Sequence, residues 1–161
     1  MLLDGNGLIY RGYFALPPLS TAKGELVNAV FGFTSILLRG FQDVKPDYVA
    51  VAFDLPGPTF RHEEYREYKA TRKPMPDDLR SQFPKVREVV AALRIPVLEL
   101  AGYEADDVIG TLTLQAEARG VDSTIVTGAS FGPLAGAPSS LIFLRRSASG
   151  LTVRSSASAM K

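Results

Sequence analysis

Ile95-Pro96-Val97-Leu98-Glu99-Leu100, followed within a few residues by Gly102-Tyr103-Glu104-Ala105-Asp106-Asp107-Val108-Ile109-Gly110, is the stretch that decides the fold. The first run is short and apolar, as a buried strand is. The second opens a helix over 104–119, with Val108, Leu112 and Ala116 turned inward and Gly120 as its stop. Acid therefore stands where a strand ends and a helix begins. Two other runs end the same way. Leu2-Leu3 ends on Asp4, and Tyr48-Val49-Ala50-Val51-Ala52-Phe53 ends on Asp54.

Between these runs the apolar spacing is helical. Residues 28–42 carry Val30, Phe33, Ile36 and Leu37 on one face, and Lys45-Pro46-Asp47 breaks the chain after them. Residues 79–93 carry Leu79, Phe83, Val86, Val90 and Leu93, with Asp77-Asp78 as the cap. Pro84 kinks that helix or divides it in two. Asp4-Gly5-Asn6-Gly7 reads as a turn, and 123–127 is a fourth strand. The order β-α-β-α-β-α-β predicts an α/β fold, a mostly parallel sheet with helices on both faces. Such sheets bind ligands outside the carboxyl ends of their strands, where Asp4, Asp54 and Glu104 fall.

Composition narrows the chemistry. The 161 residues suit one core-bearing domain, with 46% hydrophobic and 22% charged residues. No apolar run reaches the ~18 residues of a membrane span, and the N-terminus lacks a signal peptide's basic region and cleavage site, so no membrane partner and a cytoplasmic address are expected. With no Cys and a single His, thiolate sites and His-rich zinc sites are excluded. A metal here has oxygen ligands, which favours Mg or Mn. The net charge of +1 hides an asymmetry. Residues 129–161 contain no Asp or Glu but carry Arg145, Arg146, Arg154 and Lys161, and they are rich in Ser, Ala and Gly. That shift marks a boundary near Gly128, giving a core of 1–128 and a tail of 129–161.

Taken singly, each acid has an ordinary reading. Asp4 beside Gly5 suits a turn, Asp54 caps a loop, Asp106 and Asp107 favour a helix dipole, and Glu104 is half of a surface pair. Together they deliver acid to one sheet edge, which is costly without cations, and a shared divalent-metal site acting on phosphate esters is the economical account. Glu104 and Asp107 share a helix face, whereas Asp106 points about 100° away, so their tasks differ. Arg61, His62, Arg66, Lys69, Arg72 and Lys73 follow, interleaved with Phe60, Tyr65 and Tyr68. Bases that track phosphates and rings that stack on nucleobases suit single-stranded nucleic acid. Glu63, Glu64 and Glu67 equally suit a solvated amphipathic helix. His62 reads as a surface contact. Tyr10-Arg11 reads either as core plus surface charge or as a stacking and phosphate pair.

The strings Leu3-Asp4-Gly5-Asn6-Gly7-Leu8-Ile9-Tyr10-Arg11, Asn28-Ala29-Val30-Phe31-Gly32-Phe33 and Val51-Ala52-Phe53-Asp54 resemble the N-terminal 5′ nuclease domain of bacterial DNA polymerase I, a PIN-like flap-endonuclease fold. So do Gly57-Pro58-Thr59-Phe60-Arg61-His62-Glu63, Tyr68-Lys69-Ala70-Thr71-Arg72, Pro74-Met75-Pro76, the 102–110 string and Ile125-Val126-Thr127-Gly128. The resemblance runs in order over residues 2–128. It implies 5′-3′ exonuclease or flap-endonuclease action on DNA in replication and repair, with two divalent ions. Asp4, Asp54, Glu104, Asp106 and Asp107 match the family's metal positions. Tyr10 and Arg11 match positions beside the scissile strand, Arg61, Lys69 and Arg72 match the arch through which the 5′ strand passes, and Tyr68 is a further implied DNA contact. Lys69 and Arg72 match the cations that stabilise the transferring phosphate.

The pattern then departs. The family continues with Gly-Asp-x-Asp, whereas Gly128 is followed by Ala129, Ser130 and Phe131. The resemblance therefore implies one retained ion in place of two, impaired cleavage, and no helix-hairpin-helix grip on duplex DNA. A frame-shifted or truncated origin, a downstream polymerase domain lost from the chain, a poorly ordered tail and an uncovered sheet edge after Thr127 are the accompanying expectations, although 141–144 is apolar enough for a strand. The competing reading is a non-catalytic remnant that binds nucleic acid, or a decayed product. A phosphatase with an aspartate nucleophile would want an acid two residues after Asp4, where Asn6 stands.

Overall fold

The computed structural model describes residues 1–65, 74–128, 141–147 and 150–156. In chain order the elements are β1 (Leu2–Asp4), α1 (Gly5–Ala15), α2 (Asn28–Val44), β2 (Ala50–Ala52), α3 (Phe60–Glu64), α4 (Asp77–Arg80), α5 (Phe83–Ala92), β3 (Val97–Leu98), α6 (Ala105–Ala118), β4 (Ser123–Thr127), β5 (Leu141–Ser147) and β6 (Gly150–Ser156). One sheet holds all six strands in the order β3-β2-β1-β4-β5-β6. The first four are parallel, and β5 and β6 join antiparallel.

Strand alternation divides the core. Leu3 pairs with Val51 and Val126 across the ladder. All three point into the larger core with Leu8, Phe33, Leu37 and Val90. Leu2 and Ile125 point to the opposite face, where Ala105 and Ile109 of α6 cover them. Helices thus lie on both faces of a parallel sheet, as the element order predicts. Among the described residues no helix is long and apolar enough to cross a membrane.

Two strands are shorter than their apolar runs. The 48–53 run narrows to Ala50–Ala52, because a parallel ladder extends only as far as its partner and β1 has three residues. The 95–100 run narrows to Val97–Leu98, an edge strand preceded by Pro96, which has no N–H to donate. The 79–93 helix divides as Pro84 predicts, with that proline in the first turn of α5. The cap differs, however. Pro76 occupies the N-cap of α4, and Asp77 and Asp78 lie inside its first turn.

The Asp4-Gly5-Asn6-Gly7 turn is a helix start instead. Asp4 caps α1 by accepting from the Gly7 amide at 2.9 Å. α1 then crosses α2 so closely that a Cβ on Gly12 would sit 3.0 Å from the Ala29 carbonyl oxygen. α2 has no side-chain cap of its own. The fully buried Gln82 supplies one, its Oε1 accepting from Ala29 N at 2.8 Å while its Nε2 donates to Asn28 Oδ1 at 3.1 Å. Asn28 in turn donates to the Tyr13 carbonyl, and the Tyr13 hydroxyl donates to Asp78 Oδ2 at 2.8 Å. This network joins α1, α2 and α4 to the start of α5.

In the tail, β5 pairs along the whole of β4, Ser123 with Arg146 through Thr127 with Ile142, so the edge after Thr127 is covered rather than open. Residues 141–147 include the strand that the apolar run 141–144 predicts. Backbone groups along β4 would otherwise be an unpaired template. Ala129 and Phe131 lie outside the described residues.

Candidate active site

β1, β2 and the α6 N-terminus each bring acid to the carboxyl edge of the sheet. Asp4 is buried. Its Oδ1 accepts from Gly7 N, and its Oδ2 accepts from the Thr127 hydroxyl at 2.8 Å. A Cβ on Gly7 would overlap that carboxylate, so the glycine is required by close approach rather than by backbone freedom. Burial pushes the Asp4 carboxyl up; the bonds from Gly7 and Thr127 oppose this, and the charge of Asp54 adds to it. Asp54 follows β2 and Phe53. Its Oδ1 accepts from Ala105 N at 2.7 Å, at the start of α6, where an anion meets unpaired N–H groups. Asn6 Oδ1 accepts from Asp54 N at 3.3 Å.

Glu104 is the N-cap residue of α6, and Asp107 reaches back to accept from the Glu104 amide at 3.0 Å. Arg61 of α3 meets this face. Its Nη1 and Nη2 donate to Asp107 Oδ2 and Oδ1 at 2.7 and 2.6 Å, and Nη1 lies 3.9 Å from Glu104 Oε2. Glu104 and Asp107 thus share a face, as their spacing predicts, while Asp106 lies exposed beside them. The Asp106 carboxyl is raised by desolvation and then by the charges of Asp4, Asp54, Glu104 and Asp107. All five acids therefore share one electrostatic neighbourhood.

That donor set suits a hard divalent cation: it is all oxygen, partly desolvated and mutually repelling. Among the described residues no three acids or histidines already form a coordination cage. The carboxylates surround the edge, and backbone amides, Thr127 and Arg61 hold several of their oxygens.

Other candidates have mixed placements. The Tyr10 ring is half-buried, packed against Phe14 and Phe83 at 6.3 Å each. Arg11 lies beside the end of β4, its Cβ 3.1 Å from where a Gly128 Cβ would stand. Burial lowers the Arg11 pKa from its ordinary value, and among the described residues no carboxylate pairs with it. His62 is half-buried rather than a surface contact, and its Nδ1 accepts from Thr59 N at 3.1 Å to cap α3. Tyr68, Lys69 and Arg72 lie outside the described residues.

Sequence reading missed Thr127 and Asn6 as partners of the acids. Asn6 between two glycines was a signal, read as a turn. Thr127 left none, because its bond to Asp4 spans 123 residues.

The family described as 5′-3′ exonuclease, N-terminal resolvase-like domain matches residues 1–129. DNA polymerase I of Caldicellulosiruptor bescii is 52% identical over 128 residues, 80% of this chain and 15% of that protein. DNA polymerase I of Chloroflexus aurantiacus is 51% identical over 130 residues, 80% of this chain and 14% of that protein. The chain thus spans about 15% of the length of these relatives. Its fold is similar to that of T5 5′-exonuclease with zinc bound, at a TM-score of 0.53 and 19% identity over 78% of this chain and 46% of that one. It is also similar to the T5 D15 protein co-crystallised with metal ions, at 0.52 and 20% identity over 72% and 44%.

Proposed function

The chain belongs to the 5′-3′ exonuclease N-terminal resolvase-like domain family, and from that premise we propose that it acts on DNA with a 5′ end or 5′ flap by divalent-metal phosphodiester hydrolysis, in the cytoplasm. The observation that carries this reading is the meeting of Asp4, Asp54 and the acids of the α6 N-terminus at the carboxyl edge of the sheet, where the Asp106 carboxyl is raised by desolvation and then by its four acidic neighbours. A group in that state gains most from a cation.

Asp4, Asp54, Glu104 and Asp106 would hold Mg or Mn, with Asp107 joining them when its oxygens are released. A divalent ion bound there supplies an activated water and offsets charge on the phosphodiester. The chain's own residues position and neutralise. Asp4 and Asp54 are held in place by Gly7, Thr127 and Ala105. Arg11, charged and without an anionic partner among the described residues, suits a phosphate, and the exposed part of Tyr10 suits the adjacent base. Lys69, Arg72 and Tyr68 are assigned to the passing strand from the sequence resemblance alone, Lys69 and Arg72 as fixed cations on the transferring phosphate.

Cleavage is proposed to be slow. Ala129 and Phe131 stand where the sequence resemblance expects two aspartates, leaving one ion in place of two. A polymerase downstream in the relatives' longer chains is the proposed functional partner. The test is cleavage of a labelled 5′-flap DNA in Mg and in Mn, beside Asp106→Asn. Slow cutting lost in the variant supports the reading. Tight flap binding with no cutting in either metal would replace it with a binding remnant.

A further inference from the structure

Arg61 is claimed by two tasks. Sequence resemblance gives it to the DNA strand, yet its guanidinium grips Asp107 through two parallel bonds of 2.7 and 2.6 Å and reaches toward Glu104 at 3.9 Å. Both Asp107 oxygens are taken, and one of them also accepts from the Glu104 amide. A fork-to-fork pair is geometrically specific and charge-assisted. Its host helix, α3, is docked against the residues just before α6. Phe60 N donates to the Gly102 carbonyl at 3.0 Å, the Phe60 and Tyr103 rings lie 5.5 Å apart, and the Arg61 guanidinium stacks 4.7 Å above Phe60.

We infer that Arg61 is an internal stand-in for a cation: it masks Asp107 in the free protein, and Asp107 becomes a ligand only when Arg61 exchanges that carboxylate for a DNA phosphate. The inference rests on the metal reading above and adds an order to it. Among the described residues Asp4 and Asp54 accept only from uncharged donors, Gly7, Thr127 and Ala105, so they can meet an ion before DNA arrives, whereas Asp107 is held by a cation that must leave first. A phosphodiester offers the guanidinium the same two-oxygen geometry as a carboxylate, so the exchange keeps Arg61 paired at both ends. Arg61 is accordingly a positioning residue.

Mn²⁺ titration of the full chain by calorimetry, without DNA, tests this. Arg61→Gln removes a positive charge next to the site and frees Asp107, and it is expected to bind Mn²⁺ about tenfold more tightly than the parent. Arg61→Lys keeps the charge but loses the fork, and it should fall between. In an Asp107→Asn background, Arg61→Gln should bring a clearly smaller gain, because the masked group is gone and only the removed charge still acts. A single strand whose bridging 5′ oxygens are replaced by methylene, so that it is not cut and keeps both non-bridging oxygens, should tighten Mn²⁺ binding to the parent but not to Arg61→Gln. Equal affinities for parent and Arg61→Gln would overturn the masking while leaving the metal reading intact. A gain that is undiminished in the Asp107→Asn background would overturn the assignment to Asp107. Absence of Mn²⁺ binding in every variant, with unchanged circular dichroism, would overturn both.

Discussion

Two polar clusters sit at opposite levels of completion. Around Gln82, between α4 and α5, every donor and acceptor meets a partner: Ala29 N, Asn28 and the Asp78 carbonyl, with Tyr13 and Asp78 closing the set. At the carboxyl edge, burial raises the Asp4 and Asp106 carboxyls, and the neighbouring acids add to both shifts. The first cluster is solved within the chain and holds the helices together. Among the described residues the second is answered by Gly7, Ala105, Thr127 and Arg61, and the Asp4 and Asp106 carboxyls stay raised there. Unfinished electrostatics inside an otherwise satisfied fold mark where a ligand supplies the remainder.

Breaking the finished cluster should have the largest effect. Gln82→Ala strands the Ala29 amide and Asn28 in a dry interior, and a loss of about 3 kcal/mol is expected. Urea denaturation followed by circular dichroism measures it. A loss near zero would mean water takes the place of the amide.

Gly7→Ala tests whether the two clusters respond differently to crowding. The new Cβ overlaps the Asp4 carboxylate, so about 2 kcal/mol of stability should go, together with cation affinity. Thermal melts with and without Mn²⁺ read both. Retained Mn²⁺ affinity would remove Asp4 from the site.

Completing the unfinished cluster should stabilise the chain. Mn²⁺ at about ten times its dissociation constant should add roughly 1.4 kcal/mol, and Asp4→Asn with Asp54→Asn should abolish that gain. A gain surviving both changes would place the ion elsewhere.

The smallest expected effect has the opposite sign to most substitutions. Asp106→Asn removes a repelled charge and should raise the melting temperature of the metal-free chain by a few degrees at neutral pH. The sign follows from the raised carboxyl. Between the ordinary value of 3.8 and the raised one, the folded state holds more protons than the unfolded state, so stability climbs as pH falls through that window. The advantage of Asp106→Asn should therefore shrink toward zero below 3.8. A variant that melts lower at neutral pH would show that Asp106 stabilises the fold.

Much of this molecule was legible in its residues. Apolar runs ending on Asp4 and Asp54, and a helix opening at Glu104, marked both the parallel sheet and its acidic edge. Pro84 announced the division of one helix, and Gly120 the end of another. The misreadings share a cause. Asp4-Gly5-Asn6-Gly7 carries the local signals of a turn, yet it begins α1 because Asp4 caps the helix and Gly7 leaves room for it. Tyr48 and Leu100 belong to apolar runs but stand outside the ladder, since strand length is set by the partner.

By itself, the sequence determined the alternation of strand and helix, the absence of thiolate ligands and the positions of the acids, because these follow from local periodicity and residue type. Only the tertiary structure decided which groups answer those acids. The Thr127–Asp4 bond, the Arg61–Asp107 fork and the antiparallel cover on β4 join residues far apart in the chain. Their strength depends on distance and desolvation, and neither exists until the chain has folded.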